Sequence, residues 1–428
     1  MTDFILHWIR LIDESAGYTA ALRFYGLYPL LTAVIWATTA IAYYVRRDRR
    51  QSRSKPELAA TPRVSILIPA YCEEAVIAQA VESALQLDYP NFEVIVINDG
   101  SPDGTRDRVV PYLRDSRLTL LDKPQNEGKS RGLNDAIERA TGELLLIMDA
   151  DALPDPDVLR FMVPHFDNPR VAAVAGNARV RNKNGVFTKI QAIEFTSIIS
   201  LLRRAQRVWG AIMCVSGVVG MFRKSVLIEA GLYTPGMATE DIDLTWKIQK
   251  LGYDVRYEPR ALVWMIVPES FQVWWAQRRR WALGLGQVLR RHGNVMFSWK
   301  LRRMLPLYVE GLLSTIWAID FVLVSLFWLV SYSLGHPPRG GSPFPNVWGM
   351  MLVTVCMLQL LCGVFIDSRY EPKIVRCLHL APLYPLIYWM LLAFSTSIYT
   401  VRGLFQSLNL ERPTRWRIDH QYQGGSQS

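Results

Sequence analysis

Two kinds of apolar run alternate along this chain, and their lengths divide it. Four are long and carry at most two acids: Phe24–Val45, Leu307–Leu334, Val347–Ile366 and Ala381–Val401. About 20 apolar residues carry a helix across the hydrocarbon core of a bilayer, so all four read as membrane spans. Between the first and second the runs shrink to strand length. They are VSILIPA (Val64–Ala70), FEVIVIND (Phe92–Asp99), LTLLDK (Leu118–Lys123), ELLLIMDAD (Glu143–Asp151) and VAAVAG (Val171–Gly176). Segments between them, such as Ala75–Leu87 and Ser130–Ala140, have helical periodicity. Short buried strands alternating with helices predict a mostly parallel, Rossmann-like α/β sheet covered on both faces.

The boundaries follow from these shifts in pattern. Residues 1–23, with Arg10, Asp13 and Glu14, are amphipathic at best and read as an interfacial segment. Residues 24–45 form the first span, 46–62 a basic linker, and 63–268 the α/β domain. Residues 269–303 are rich in Trp and Arg, the composition of helices lying along a membrane surface. Three further spans occupy 304–403, and 404–428 is a tail. No small-residue cleavage site separates the first span from the charges after it, so the span is expected to be retained. The cluster Arg46–Arg50 puts the α/β domain in the cytoplasm by the positive-inside tendency. Four spans then put the basic tail Arg412–Arg417 outside, against that tendency, which leaves open that one run is re-entrant or interfacial.

Composition narrows the partners. Half the 428 residues are apolar, 14 are Trp, and the net charge is +10. The basic residues crowd beside apolar runs, as in RRDRRQSRSK (Arg46–Lys55), which favours a membrane over nucleic acid. Cys72, Cys214, Cys356, Cys362 and Cys377 show no CxxC spacing and read as free thiols on a reducing face. The six histidines form no HExxH-like cluster, so no zinc site is expected.

The chemistry-bearing residues sit where strands end. Asp149-Ala-Asp151 follows a buried strand, and paired acids suit a hard divalent ion bridging protein to a diphosphate. Asp99, in Asn98-Asp99-Gly100-Ser101, is turn chemistry that also presents a carboxylate. Tyr71 and Glu73, after the first strand, offer a ring and an acid to frame a base. Asn126–Gly132 partly resembles a P-loop but lacks its leading glycine, which excludes a P-loop NTPase. Lys129, at a helix start, can still meet a diphosphate; ordinary surface charge is the equal alternative. Thr239-Glu240-Asp241 reads either as a helix cap or as the carrier of a general base, Asp241. Gln277-Arg278-Arg279-Arg280-Trp281 reads either as membrane anchoring or as an arginine for a leaving diphosphate with an indole for a sugar ring.

Taken in order, Asp99, Asp149-Ala-Asp151, Thr239-Glu240-Asp241 and Gln277–Trp281 resemble the D, DxD, TED and Q-x-x-R-W motifs of processive family-2 glycosyltransferases. That group, which contains cellulose, chitin and hyaluronan synthases, has a GT-A catalytic domain, and the resemblance covers nearly the whole chain. It implies that Asp99 contacts uridine and that Asp149 and Asp151 hold the diphosphate with Mg2+ or Mn2+. It implies Asp241 as the base of a single inverting displacement. Tyr71, Glu73, Lys129 and Arg280 would join the nucleotide-sugar site, and Glu240, Gln277 and Trp281 the acceptor site.

Longer passages, AGNARVRNKNG (Ala175–Gly185), EFTSIISLLRRAQRVWG (Glu194–Gly210), VSGVVGMFRKS (Val215–Ser225) and YEPRALVWMIVPE (Tyr257–Glu269), resemble bacterial poly-β-1,6-N-acetylglucosamine synthases of biofilm matrix. That resemblance implies UDP-N-acetylglucosamine (UDP-GlcNAc) as donor and export of the growing polysaccharide through the membrane segments, with Asp320 and Glu310 as candidates to line the path. It also implies a multi-pass protein of the bacterial inner membrane, in contact with lipid, with a small membrane accessory subunit. Any cyclic-di-GMP control would act through that partner. Two departures stand out: one clear N-terminal span where such synthases usually have two, and Arg279 in the motif's variable position. The alternatives are a hyaluronan-, chitin- or cellulose-type synthase using another UDP-sugar, single-sugar transfer to a lipid carrier, and a non-catalytic membrane scaffold.

Overall fold

The computed structural model describes residues 2–406, apart from Arg53 and Ser342–Asn346. Two helices, α1 (Thr2–Asp13) and α2 (Ala16–Arg46), lead into an α/β domain. Its elements are β1 (Val64–Ala70), α3 (Ile77–Leu85), β2 (Phe92–Asp99), α4 (Thr105–Val109), β3 (Leu118–Lys123), α5 (Lys129–Arg139), β4 (Leu144–Ile147), β5 (Leu153–Pro154) and α6 (Val158–Met162). There follow β6 (Val171–Val180), α7 (Val186–Glu194), α8 (Ser200–Trp209), β7 (Gly220–Arg223), α9 (Lys224–Glu229), α10 (Glu240–Lys250) and β8 (Asp254–Met265). Four helices complete the described chain: α11 (Phe271–Arg291), α12 (Leu305–Ser333), α13 (Val347–Asp367) and α14 (Trp389–Phe405).

The sheet runs β3-β2-β1-β4-β7-β6-β8-β5. Its first four strands are parallel, β7 is antiparallel to both neighbours, and β6 with β8 is parallel again. Every residue of β1 and β4 is buried, as continuous apolar runs require when helices cover both faces. The carboxyl ends of β1, β2 and β4 lie side by side, so Tyr71, Glu73, Asp99, Asp149 and Asp151 emerge along one edge of the sheet.

The first three strands match their apolar runs residue for residue. The fourth stops at Ile147, so the acids after it lie on a turn. The fifth run extends to Val180. Strands β5, β7 and β8 had no such signal. β7 is only four residues long, and β8 alternates buried with half-buried positions because one face meets polar neighbours.

Among the described residues, three helical segments are long and apolar enough to cross a membrane: Ala16–Arg50, Leu305–Ser333 and Gly349–Asp367. The first begins earlier than its apolar run. The fourth run, Ala381–Val401, forms a π-helical turn (Tyr384–Tyr388) that continues into the 17-residue α14. Helix α14 lies alongside α11: Phe394 stacks on Trp275, the Tyr399 hydroxyl accepts from Arg279, and the Gln406 carbonyl accepts from Arg290. A Cβ at Gly286 would come within 2.1 Å of the Thr400 carbonyl oxygen, so only glycine permits this approach.

A buried ionic network joins the helical bundle to the α/β domain. Arg204 of α8 pairs with Asp48, just past α2, at 2.6 Å and with Asp367, the last residue of α13, at 2.8 Å. Arg179 of β6 reaches the same Asp367 at 2.7 Å. Removing one member of such a buried set costs about 3–5 kcal/mol, because the remaining charge is left without a partner. Leu404 meanwhile packs on a cluster with Met237 and Trp246. The segment from Asp367 to Leu404 therefore meets the α/β domain at both ends, and between them Tyr388 donates to Glu194 of α7 at 2.7 Å. At the far end of the bundle, the Trp328 indole donates to the Tyr18 hydroxyl at 2.9 Å. Residues 407–428 of the tail, and Ser342–Asn346 of the Pro/Gly-rich loop after α12, lie outside the described residues.

Candidate active site

The site is built outward from β2. Asp99, its last residue, is 2 % exposed, and its two carboxylate oxygens accept the backbone N–H groups of Glu127 (3.1 Å) and Gly128 (2.7 Å). Burial raises its pKa, and those two donors oppose the rise. The carboxylate thus fixes the loop that ends in Lys129, the first residue of α5. From there the Lys129 ammonium reaches across to Asp149 Oδ1 at 2.5 Å and lies 4.0 Å from Glu240 Oε1. Burial opposes the lysine's charge, but Asp149 and Glu240 hold its pKa above the ordinary range. Gly217 closes the group from the loop before β7; a Cβ there would come 2.7 Å from the ammonium.

The acids outnumber that cation. Asp151 is buried and pushed up to about 7, by burial first and then by Asp149. Glu73 is pushed up to about 8 by burial, Asp151 and Asp149. One of its oxygens, Oε2, is buried with no hydrogen-bond partner among the described residues. Clustered oxygen donors whose charge is this poorly compensated fit a hard divalent cation. No three His, Cys, Asp or Glu side chains converge on one metal position among the described residues. A cation held by Asp149 and Asp151 would take its other donors from a diphosphate and water, the usual habit of Mg2+.

Glu240 and Asp241 open α10, where the helix dipole favours acids. Thr239 does not cap this helix: its hydroxyl makes no cap bond and is buried without a partner among the described residues. Asp241 Oδ1 accepts the Ile242 N–H at 2.9 Å, and Oδ2 accepts the Cys214 thiol at 3.2 Å. Burial raises the Glu240 pKa, opposed by Lys129 and then Arg280, with Asp241 adding to the rise.

Helix α11 braces this turn. The Arg280 guanidinium donates to the Ala238 carbonyl (3.0 Å), and the Gln287 side-chain oxygen accepts the Ala238 N–H (2.9 Å). Gly284 lies against Thr239, and His292, just past the helix, meets Asp243 at 2.9 Å. The three arginines of Gln277–Trp281 have different surroundings. Arg278 is buried on Glu194 and Arg279 reaches Tyr399, which leaves Arg280 as the one directed at the Ala238–Glu240 turn. Gln277 is buried, Trp281 is half-buried, and Trp274 is fully enclosed, so this helix packs on protein along much of its length.

Lys129, Asp149, Asp151, Glu73, Glu240 and Asp241 therefore form one electrostatic group, with Arg280 at its edge. Asp99 stands behind it as a loop anchor, and Tyr71 is half-buried beside Glu73. Gly217, Gly284 and Gln287 had no place in the sequence reading of the site, and Cys214 figured there only as a free thiol. The only local signal was the pair of glycines inside a helical pattern, which marks close approach.

The match to known proteins runs through these same segments. The model of glycosyl transferase family 2 covers residues 65–231. A poly-β-1,6-N-acetyl-D-glucosamine synthase of Staphylococcus epidermidis is 34% identical over 375 residues, covering 86% of this chain and 91% of that one. The chain belongs to the family-2 glycosyltransferases. A synthase of the same name from Staphylococcus aureus (strain COL) is 33% identical over 379 residues, again covering 86% and 91%. Among solved structures, a mannosyltransferase from Pyrobaculum calidifontis in complex with GDP-Man and Mn2+ superposes with a TM-score of 0.58. At 24% identity, over 86% of this glycosyltransferase and 99% of that chain, it shares the GT-A fold.

Proposed function

We propose that this membrane glycosyltransferase polymerises N-acetylglucosamine from UDP-GlcNAc into a poly-β-1,6-linked chain and passes it through its membrane segments. One observation carries the reading: a single ammonium, Lys129, lies 2.5 Å from the acid of the DxD turn and 4.0 Å from the acid beside Asp241. That shared cation supports donor and acceptor motifs working at one site. The staphylococcal relatives, similar over most of the chain, supply the sugar and the linkage.

In the proposed reaction, an acceptor hydroxyl oxygen attacks the anomeric carbon as the bond from that carbon to the diphosphate oxygen breaks. Inversion and a β linkage follow from that single displacement. Asp241 takes the hydroxyl proton, help that contributes ~10²–10⁴-fold. Lys129 and Arg280 balance the charge gathering on departing UDP. A divalent ion bound at Asp149 and Asp151 would supply further charge neutralisation there. Asp99 anchors the loop against the nucleotide, with Tyr71 and Glu73 flanking it. Gln277, Glu240 and Trp281 hold the acceptor end of the polymer.

The polymer would leave past Glu310 and Asp320, whose Oδ2 is buried without a partner among the described residues, as an acid lining a polar path is. The catalytic domain would face the cytoplasm of a bacterial inner membrane, and a small membrane subunit would accompany the chain. Membranes carrying the protein, given UDP-GlcNAc, should yield a high-mass polymer digestible by a β-1,6-specific glycosaminidase. Asp241→Asn should insert normally and yield none. Polymer at the wild-type rate from that variant would remove the base assignment.

A further inference from the structure

We propose that Arg278 and Glu194 are positioning residues that hold the indole of Trp281 as the platform for the acceptor sugar. The proposal rests on the reading of Trp281 as an acceptor-site residue. It concerns Arg278, the residue after the motif's glutamine, rather than the motif's named members.

Arg278 is 4 % exposed, and its guanidinium carbon lies 4.3 Å from the centre of the Trp281 ring. Residues three and four apart share a helix face, so Trp274, Arg278 and Trp281 stand one above another on α11. The guanidinium makes a two-pronged pair with Glu194: NH1 donates to Oε1 at 3.1 Å and NH2 to Oε2 at 2.7 Å. NH2 also donates to the Tyr388 hydroxyl at 2.9 Å, which in turn donates to Glu194 Oε2 at 2.7 Å. The Trp274 indole N–H completes the set on the Tyr388 oxygen at 2.6 Å.

Three separate segments thus lock one planar cation: the end of α7, helix α11 and the π-helical turn Tyr384–Tyr388. A flat guanidinium fixed at two points has little rotational freedom, and an indole stacked on it inherits that rigidity. Trp281 itself remains half-buried, at the border of the cluster that also meets Val218. Val218 follows Gly217, whose neighbours are Lys129 and Asp149. The held indole and the segment that carries Gly217 therefore border the same apolar cluster. A sugar platform needs that placement if the acceptor's hydroxyl is to meet the donor's anomeric carbon reproducibly.

The test uses the full chain in lipid nanodiscs, measuring kcat, KM for UDP-GlcNAc, product length and melting temperature. Arg278→Lys keeps the charge opposite Glu194 but loses the planar face. It should shorten the product at least threefold, towards the length made by Trp281→Ala, while KM for UDP-GlcNAc stays within twofold of wild type. Tyr388→Phe, which removes one hydroxyl from the set, should shorten it by less, and serves if Arg278→Lys does not fold. A purely structural role predicts less folded enzyme but full-length product from each active molecule. That result from Arg278→Lys or Tyr388→Phe, with short product from Trp281→Ala, overturns the proposal. Full-length product from Trp281→Ala instead removes the acceptor reading beneath it.

Discussion

The Lys129 ammonium and the Asp149 carboxylate lie 2.5 Å apart, a direct ion pair between the start of α5 and the turn after β4. Lys129 is a cation set among Asp149, Asp151, Glu73 and Glu240, so its loss leaves their repulsion unbalanced. Lys129→Met should lower kcat/KM by about 10- to 100-fold, or ~1.4–2.7 kcal/mol of transition-state stabilisation. Chelation by EDTA should stop the wild-type enzyme, and added Mg2+ or Mn2+ should restore it. Undiminished turnover after exhaustive chelation would show that the acids work without a divalent ion.

Gly284 is where helix α11 touches the turn carrying the base. A Cβ there would lie 2.3 Å from Thr239 Oγ1 and 2.4 Å from its Cγ2, so Gly284→Ala must push α11 and the 239–241 turn apart. Overpacking of this kind costs about 1–3 kcal/mol. Turnover should fall at least tenfold with little change in UDP affinity, since the donor-side acids are not touched. Adding Thr239→Gly, which removes the clashing atoms, should return part of the loss. A Gly284→Ala enzyme with normal kcat would mean that the helix does not set the base.

The parallel half of the sheet was legible because a strand buried on both faces must be written as a continuous apolar run. Strands β1, β2 and β4 are such runs, and the acids that follow them fell where strand ends gather. Strand β8 was not legible, since its half-buried face dilutes the apolar signal, and β7 is too short to produce one. The motif acids could be named as candidates from their places after apolar runs and from the resemblance of their order to the family's motifs. The division of labour among Arg278, Arg279 and Arg280 could not, because it depends on Glu194, Tyr399 and Ala238, each brought in from another part of the chain. Thr239 read as a helix cap for the same reason: local spacing suits a cap, but the approach of Gly284 decides where its side chain sits.

The path of the chain after α13 bears on the tail. Asp367 pairs with Arg179 and Arg204, and Leu404 packs on the cluster of Met237 and Trp246, so both ends of this segment meet the catalytic domain. Helix α14 runs along α11, with its first residue, Trp389, stacked on Trp317 of α12, and a topology of three spans would put Gln406 on the same side as Asp149. Three crossings are also the number that the positive-inside tendency asks of a sequence ending in the basic run Arg412–Arg417. A C-terminal tag should react with an impermeant label only after the cells are opened. Labelling of intact spheroplasts would require a fourth crossing.

Glu258 offers a test of stability against pH. It is fully buried in β8, accepts two side-chain bonds from Arg260 at 2.8 Å each, and meets His165 at 3.0 Å. Burial pushes its pKa upward, but Arg260 and His165 outweigh that and bring it down to about 2. The unfolded carboxylate titrates near its ordinary value of about 4.3, so folding favours the charged form. The stabilisation is complete above the unfolded value and is lost as pH falls from about 4.5 towards about 2. Its size is on the order of 3 kcal/mol for a shift of this extent. The wild-type melting temperature should fall steeply across that acid range, whereas Glu258→Gln should start lower and fall less. Parallel acid limbs in the two proteins would show that other carboxylates set the acid sensitivity.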